Sequence, residues 1–521
     1  MLILTRIKPS EYHDSITLMQ AAAALLDMPG VEDAAVVMGT PANRELVDAA
    51  GLLTPEFAGA RPDDLVIVVK AADEAAGQAA LKKAEEILGR RAERTQTTAV
   101  RPKSLASAIE SDGQTNLAVI SVAGRYAAEE ARTALEAGLH VLIFSDNVSL
   151  ADEIALKDLA ARRRLLCMGP DAGTAIINGV ALGFANAIPR GTVGIVSAAG
   201  TGLQGVSSGI ARRGAGVSQG IGTGGRDLSE AVGGTMMLLG LTMLQEDPGT
   251  EVIVLVSKPP APTVAQKVLA AIGGKKPTVV CFLGADPGAI EKAGGLPATT
   301  LTQAATIAAA LATGANYCDA LVTLETESQS LIDLAEAERP KLAEGQWALR
   351  GLYTGGTFCY EAQLLLKNLP EPVHSNAPLV KANRLADSTH SVGHTVVDLG
   401  EDEFTQGRLH PMIDPALRNR RIVQEAHDGA TAVILLDFVL GYGAHDDPAG
   451  AALPAIAEAQ AVAHAAGRHL LFVASVCGTE ADPQRLSGQE AKLRSAGVLV
   501  LPDNASAVRL AGLITQGCVV C

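Results

Sequence analysis

Thr192-Val-Gly-Ile-Val-Ser-Ala-Ala-Gly-Thr-Gly-Leu-Gln204 is an apolar run, a small-residue turn and the start of a helix-forming segment. Ala348-Leu-Arg-Gly-Leu-Tyr-Thr-Gly-Gly-Thr-Phe-Cys-Tyr-Glu361 repeats the plan later in the chain. A buried strand that turns through glycine into a helix aims backbone N–H groups and the positive end of a helix dipole at one spot. An anion suits that spot, phosphate above all. Two such turns predict two helices converging on one ligand. Ser197, Gly200, Thr201 and Gly202 would hold one side of it, and Thr354, Gly355, Gly356 and Thr357 the other.

The segments around each turn alternate strand and helix. Strands are expected at Val217–Ile221, Val252–Ser257 and Thr278–Leu283 after the first turn. After the second they are expected at Thr395–Asp398, Ala432–Phe438, His469–Ala474 and Val498–Leu501. Val252-Ile-Val-Leu-Val-Ser257 and Ala432-Val-Ile-Leu-Leu-Asp437 are equivalent apolar strands ending in polar residues. This is the pattern of a duplicated flavodoxin-like domain, whose pseudo-twofold would bring the two helices together. A further loop, Gly220-Ile-Gly-Thr-Gly-Gly225, reads as a tight turn, with Gly224 and Gly225 as added anion-site candidates.

The expected fold class is therefore α/β and multidomain. Residues 1–100 read as a small α+β domain, ferredoxin-like in rhythm, and 101–190 as a Rossmann-like domain. Residues 191–325 and 346–521 read as the two flavodoxin-like domains, with a charged linker over 325–345. In the Rossmann-like region Ser121-Val-Ala-Gly-Arg125 stands where a dinucleotide fingerprint would be, which argues against NAD and FAD.

Composition agrees with this class. A chain of 521 residues suits about three or four domains. With 48% hydrophobic but only 3% aromatic residues, the core must be built from Ala, Val, Leu, Ile and Gly, as in buried parallel sheets. A net charge of −15 offers no basic stripe for nucleic acid. Seven scattered Cys, the nearest pair being Cys518 and Cys521, suit a reducing cytoplasm. No apolar stretch reaches the ~20 residues needed to span a bilayer, and the N-terminus lacks a signal-peptide layout. The expected location is the cytoplasm.

Gly191-Thr-Val-Gly-Ile-Val-Ser197, Gly222-Thr-Gly-Gly225 and Asp247-Pro-Gly-Thr-Glu-Val-Ile-Val254 resemble the α subunit of succinyl-CoA synthetase and its ATP-citrate lyase relatives. From about residue 347 the chain resembles the C-terminal domain of that enzyme's β subunit. More narrowly, Met38-Gly-Thr-Pro-Ala-Asn43, Phe144-Ser-Asp-Asn-Val-Ser149, Met168-Gly-Pro-Asp171 and His410-Pro-Met-Ile-Asp-Pro415 resemble the FdrA family, usually labelled acyl-CoA synthetase. The departures are informative. The ATP-grasp domain of succinyl-CoA synthetases is missing, as is the N-terminal Gly-rich CoA loop. Where those enzymes carry a phosphate-relaying histidine, Gly284-Ala-Asp-Pro-Gly-Ala-Ile-Glu-Lys292 has none, and no histidine lies between His140 and His374.

The resemblance then implies a substrate that arrives already activated as an acyl phosphate. It points to a component of oxamate carbamoyltransferase, interconverting oxalurate plus phosphate with oxamate plus carbamoyl phosphate in allantoin (purine) catabolism. Partner subunits and a homo-oligomer are expected, nucleic acid and membrane are not, and CoA is the one cofactor left open. The alternatives are an acyl-CoA ligase borrowing an ATP-grasp partner, and a non-catalytic ligand-binding subunit.

Candidate chemical residues sit at strand ends. His445, beside Asp446 and Asp447, is placed to protonate a leaving phosphate. Lys258 ends its strand where the family keeps a catalytic group, and His410 faces the same cleft from a rigid turn. His390, His394 and Asp398 form a further group, the two histidines at a zinc-like spacing, but they lie in a loop entering a strand, so no metal is expected. Arg418, Arg420 and Arg421 read as a solvated helix face.

Overall fold

The computed structural model describes residues 2–516 except 12, 14, 27, 41, 42, 45, 46, 49, 63, 95–103, 406 and 407. Of the positions quoted above, Pro41, Ala42, Cys518 and Cys521 lie outside the described residues. The chain divides into two compact units: residues 1–103 with 405–409, and residues 104–404 with 410–521.

In the first unit β1 (Leu2–Lys8), β2 (Val31–Met38) and β3 (Leu65–Ala71) form an antiparallel sheet in the order β1-β3-β2. β3 is central and buried on both faces, which explains its unbroken apolar run. Leu65, Ile67 and Val69 pack on the helices Ser15–Leu26 and Glu74–Arg94. Val66 and Val68 pack on Val47, Leu52 and Phe57.

Among the described residues the second unit holds three sheets. β4 (Leu117–Ile120), β5 (His140–Ile143) and β6 (Cys167–Met168) are parallel. The next sheet contains β7 (Thr174–Ile177), β8 (Val180–Gly183), β9 (Arg190–Ser197), β10 (Val217–Gly222), β11 (Val252–Ser257), β12 (Thr278–Phe282) and β13 (Leu296–Pro297). Its order is β13-β12-β11-β9-β10-β7-β8. The last contains β14 (Ala348–Tyr353), β15 (Val373–His374), β16 (His394–Asp398), β17 (Thr431–Val439), β18 (Leu471–Cys477) and β19 (Leu499–Leu501), in the order β15-β16-β14-β17-β18-β19. β9 thus stands between its first and second successors, β10 and β11; β14 stands between β16 and β17, and with the two-residue edge strand β15 set aside both sheets follow the flavodoxin-like order.

Two expectations are corrected. Residues 174–183 belong to the first flavodoxin-like sheet, where β7 pairs antiparallel with β10. Asn178-Gly179, both at positive φ (51° and 81°), makes the two-residue hairpin that builds this edge. The supposed linker is the second half of the helix Tyr317–Glu338. Its Leu331 and Ala335 are buried in the core shared by the two large sheets, and Arg339 beyond it donates to the carbonyl of Leu513.

A glycine face lets the two turn helices touch. On Gly200–Arg212, a Cβ at Gly202 would lie 3.3 Å from Thr357 Cγ2, and one at Gly205 would lie 2.9 Å from Phe358 Cε1. Side chains there would force apart the helix Gly356–Leu366, and with it the two glycine turns.

Candidate functional site

At the first turn the Ser197 hydroxyl accepts from Ala199 N (3.1 Å) and donates to Ala199 O (2.8 Å), closing the bend. The helix that follows has no side-chain cap. Among the described residues nothing accepts from the N–H groups of Gly200, Thr201 and Gly202. Gly200 is exposed. β9 and β11 flank the point where the strand order reverses, the usual ligand crevice of such sheets. Lys258 follows β11 directly, at the carboxyl edge of that sheet.

The second turn is built differently. Asp437, inside β17, is buried and accepts from Thr354 N (2.7 Å), Gly355 N (2.8 Å) and Thr354 Oγ1 (3.1 Å). Burial pushes its carboxyl up, opposed by Arg418 and by these hydrogen bonds. Thr357 N donates to Thr201 Oγ1 of the first helix (3.2 Å). Thr354, Gly355 and Thr357 therefore do not offer N–H groups to a ligand; an internal carboxylate and a neighbouring hydroxyl occupy them. Gly356 is the position of this turn that faces the crevice charges. A Cβ placed there would lie 2.5 Å from Asp398 Oδ2 and 3.4 Å from Lys258 Nζ.

Asp398 closes β16 beside β14, in register with Tyr353. Its Oδ1 accepts from Gly400 N (2.9 Å). Burial raises this carboxyl to about 6, with Lys258 opposing and Glu401 and Asp437 adding. His410 borders the same space: a Cβ on Gly400 would lie 2.8 Å from His410 Nε2 and 3.2 Å from Asp398 Oδ1. His410 Nδ1 accepts from Met412 N (3.2 Å), which leaves the ring proton on Nε2. Desolvation lowers this imidazole to about 4. Asp171 is raised to about 6 by desolvation and by Asp146 and Asp402, against Arg226 and Lys258. Lys258 thus lowers both Asp398 and Asp171 against the effect of burial.

Other candidates fall elsewhere. His445 Nδ1 accepts from Asp447 N (3.0 Å), and its backbone N–H donates to Met412 O (2.8 Å). It therefore stands next to the His410 turn, and no contact of it with either glycine turn is recorded among the described residues. Asp446 is exposed; Asp447 instead caps the helix Pro448–Ala465 through Gly450 N and binds Lys492 (2.6 Å). Gly224 (φ +85°) packs against the Gly169-Pro170 backbone, its would-be Cβ 2.5 Å from Pro170 O, so it is a packing residue. Gly225 is exposed, with open space where a Cβ would stand.

Arg418 and Arg421 are buried, not solvated. Arg418 donates to Asp437 O (2.5 Å) and covers the Phe438 ring, while Arg421 pairs with Glu425 (2.5 Å). His394 is buried, accepts from Leu349 N and meets Trp347 edge-on, while His390 is exposed and pairs with Asp387. Among the described residues no group of three His, Cys, Asp or Glu is arranged to hold a metal ion.

One buried network was missed from sequence. Lys157 Nζ, 1% exposed, donates to Glu153 Oε1 (2.8 Å), Asp227 Oδ1 (2.9 Å) and Thr223 O (2.9 Å). Asp227 also accepts from Met236 N and Met237 N, and Arg226 pairs with Glu153 (2.7 Å). This fastens the helix Leu150–Arg162 to the loop after β10. Glu153-x₃-Lys157 reads in sequence as an ordinary surface pair, so only the charged loop residues Arg226 and Asp227 could have hinted at it.

A family model described as CoA-ligase matches residues 352–514, and one described as AllF, heavy metal-associated domain, matches residues 1–103. Fold and matches together define a CoA-ligase-like α/β protein with a small N-terminal domain. "Uncharacterized protein YahF" of Escherichia coli (strain K12) is 45% identical over 506 residues, 97% of each chain. The chain belongs to the family of that protein.

Two solved structures are also similar. The dinucleotide-forming acetyl-coenzyme A synthetase 1 of Ca. Korarchaeum cryptofilum, in complex with phosphate and ADP, is 13% identical. The match covers 77% of this chain and 82% of that one, with a TM-score of 0.32. ATP citrate lyase of Methanothrix soehngenii, in complex with citrate and coenzyme A, is 17% identical over 43% and 46%, with a TM-score of 0.35. Among the described residues no helix is long and apolar enough to cross a membrane.

Proposed function

We propose that this chain is an FdrA-type protein that acts on an acyl phosphate as a component of oxamate carbamoyltransferase, interconverting oxalurate plus phosphate with oxamate plus carbamoyl phosphate. The observation that carries the reading is the set of three acceptor-free N–H groups at Gly200, Thr201 and Gly202, with Lys258 ending the neighbouring strand β11. Such a site holds a phosphate and stabilises charge growing on it. The absence of any histidine between His140 and His374 supports a substrate that needs no phosphohistidine relay. The AllF match over residues 1–103 supports a place in allantoin breakdown.

In the reaction a phosphate oxygen attacks the carbamoyl carbon of oxalurate and the bond to the amide nitrogen breaks. One proton passes from the phosphate hydroxyl to that nitrogen, so atoms and charge balance with no co-reactant. The first turn and Lys258 hold the phosphate and orient it for attack.

Coenzyme A fits the described residues poorly. The helix Gly124–Glu136 begins where the family's cofactor phosphates would approach, but a Cβ on Gly124 would lie 2.7 Å from the Asn147 carbonyl oxygen. The Asp146–Asn147 backbone packs directly on this glycine. The CoA-ligase match over 352–514 still favours a second reading, an acyl-CoA ligase completed by an ATP-grasp partner.

A thermal-shift panel of phosphate, carbamoyl phosphate, oxalurate, CoA and ATP separates the two. A ligand at 100-fold over its Kd adds about 2.7 kcal/mol. Stabilisation by phosphate and carbamoyl phosphate is expected. Stabilisation by CoA without phosphate would replace this reading with the ligase.

A further inference from the structure

We infer that Asp398 is the acid–base residue that exchanges a proton with the anion held at the first glycine turn, and that His410 is a positioning residue behind it. This rests on the acyl-phosphate reading above and assigns a role that sequence reasoning gave to His445 and His410.

The argument begins with strand register. β14 and β16 are neighbours, and Tyr353 pairs with Asp398. The chain leaving Tyr353 turns into the helix Gly356–Leu366, so the Asp398 side chain is delivered to the start of that helix. Its Oδ2 lies 2.5 Å from the point a Gly356 Cβ would occupy, and Lys258 Nζ lies 3.4 Å from the same point. Residue 356 must therefore be glycine for the carboxylate and the ammonium to stand together there.

The carboxyl is held rather than mobile. Its own peptide is gripped on both sides by Asn376, which donates to Asp398 O (2.9 Å) and accepts from Asp398 N (2.9 Å). Oδ1 takes Gly400 N, and His410 Nε2 borders the same space above Gly400. Oδ1 is thus tied to the loop behind the site, and Oδ2 faces Gly356 and Lys258. His445, by contrast, has its Nδ1 engaged by the N-cap turn at Asp447.

The chemistry requires such a group. When phosphate attacks an acyl carbon bonded to nitrogen, the phosphate O–H proton must leave and the departing nitrogen must gain one. Asp398, protonated when the dianion is bound, gives its Oδ2 proton to nitrogen as the C–N bond breaks and regains one from the phosphate O–H as the P–O–C linkage is completed. It ends as it began, a carboxylic acid.

The groups facing Asp398 are Lys258 from the β11 end, Asp437 from β17, Cys359 from the helix Gly356–Leu366, Glu401 from the following loop, and His410. A dianion arriving beside Lys258 makes protonated Asp398 the favoured form.

Sulfate is the probe, because it does not titrate near neutral pH. Calorimetry in buffers of different ionisation enthalpy should show sulfate binding with uptake of close to one proton near pH 7. Asp398→Asn should abolish that uptake while still binding sulfate, and should lower turnover by about 10²–10⁴-fold. Uptake kept in Asp398→Asn but lost in His410→Asn overturns the inference and assigns the proton to the imidazole. Sulfate binding by wild type without uptake also overturns it, leaving the anion site intact. No sulfate binding by wild type would instead remove the anion-site reading itself, and Asp398 with it. Should Asp398→Asn not fold, difference infrared spectra of wild type decide: a protonated-carboxyl band appearing with sulfate is expected, and its absence contradicts the assignment.

Discussion

Asp437→Ala tests whether the second glycine turn is an anion nest already filled by the protein. The substitution removes the acceptor of Thr354 N, Gly355 N and Thr354 Oγ1, all inside the core. Each buried donor left without a partner costs about 1–3 kcal/mol. Arg418 also loses a carboxylate oxygen 3.7 Å away while its guanidinium stays buried. Together the loss should be about 3–6 kcal/mol, tempered by any water that enters the cavity. At about 2–4 °C per kcal/mol, the scale of a 150–250-residue domain such as the one over 346–521, the midpoint should fall by roughly 6–24 °C.

The variant also exposes a carboxylate-shaped vacancy lined by N–H groups. Formate should refill it. At tenfold over its Kd formate restores about 1.4 kcal/mol, visible as a midpoint rise of several degrees in the variant. The assay is thermal unfolding of both proteins in sodium formate and in sodium chloride at equal ionic strength. An unchanged midpoint in Asp437→Ala, or equal formate effects on both proteins, would refute the reasoning.

Other expectations follow from single sites. Lys157→Met leaves Glu153 and Asp227 buried without their shared cation and should cost about 3–5 kcal/mol, with hydrogen exchange accelerating first in the helix Leu150–Arg162; wild-type protection there would count against the network. Burial raises Glu361 to about 7, so the folded state holds a proton that the unfolded chain has released above about 4.5. Its contribution is therefore full below that value, declines as pH rises toward about 7 and is flat beyond. The midpoint difference between wild type and Glu361→Gln should shift in the variant's favour over that window, and a pH-independent difference would contradict it. Gly224→Ala meets both a positive φ and Pro170 O, so it should destabilise by about 1–3 kcal/mol or more without altering the fold change in phosphate affinity at the first turn; loss of phosphate binding in a folded variant would return Gly224 to the site.

Much of the architecture was legible in the sequence because apolar runs and glycine turns alternate at a regular rhythm. β11 and β17 are continuous apolar stretches, and each turn does lead into a helix. What could not be read was how long-range partners use the exposed backbone. Asp437 looked like the polar end of a buried strand; its contact with Thr354 and Gly355 depends on β14 and β17 being neighbours across many residues. The Asn178-Gly179 hairpin carried a local signal, but nothing in it named β10 as its partner. Arg418 and Arg421 sit on a helix whose composition is polar, so their burial follows from packing against β17 rather than from periodicity. Lys258 was marked by its position after a strand. Asp398 was grouped with the wrong neighbours, His390 and His394, because sequence proximity stood in for the β14–β16 register.

Phosphorus NMR tests the central claim most directly. The protein, with any partner subunits it co-purifies with, is mixed with oxalurate and inorganic phosphate and followed for the carbamoyl phosphate resonance. That resonance should appear, should be lost in Lys258→Ala, and should need neither CoA nor ATP. Formation of a CoA thioester from a carboxylate, CoA and ATP, with no carbamoyl phosphate from oxalurate, would contradict it.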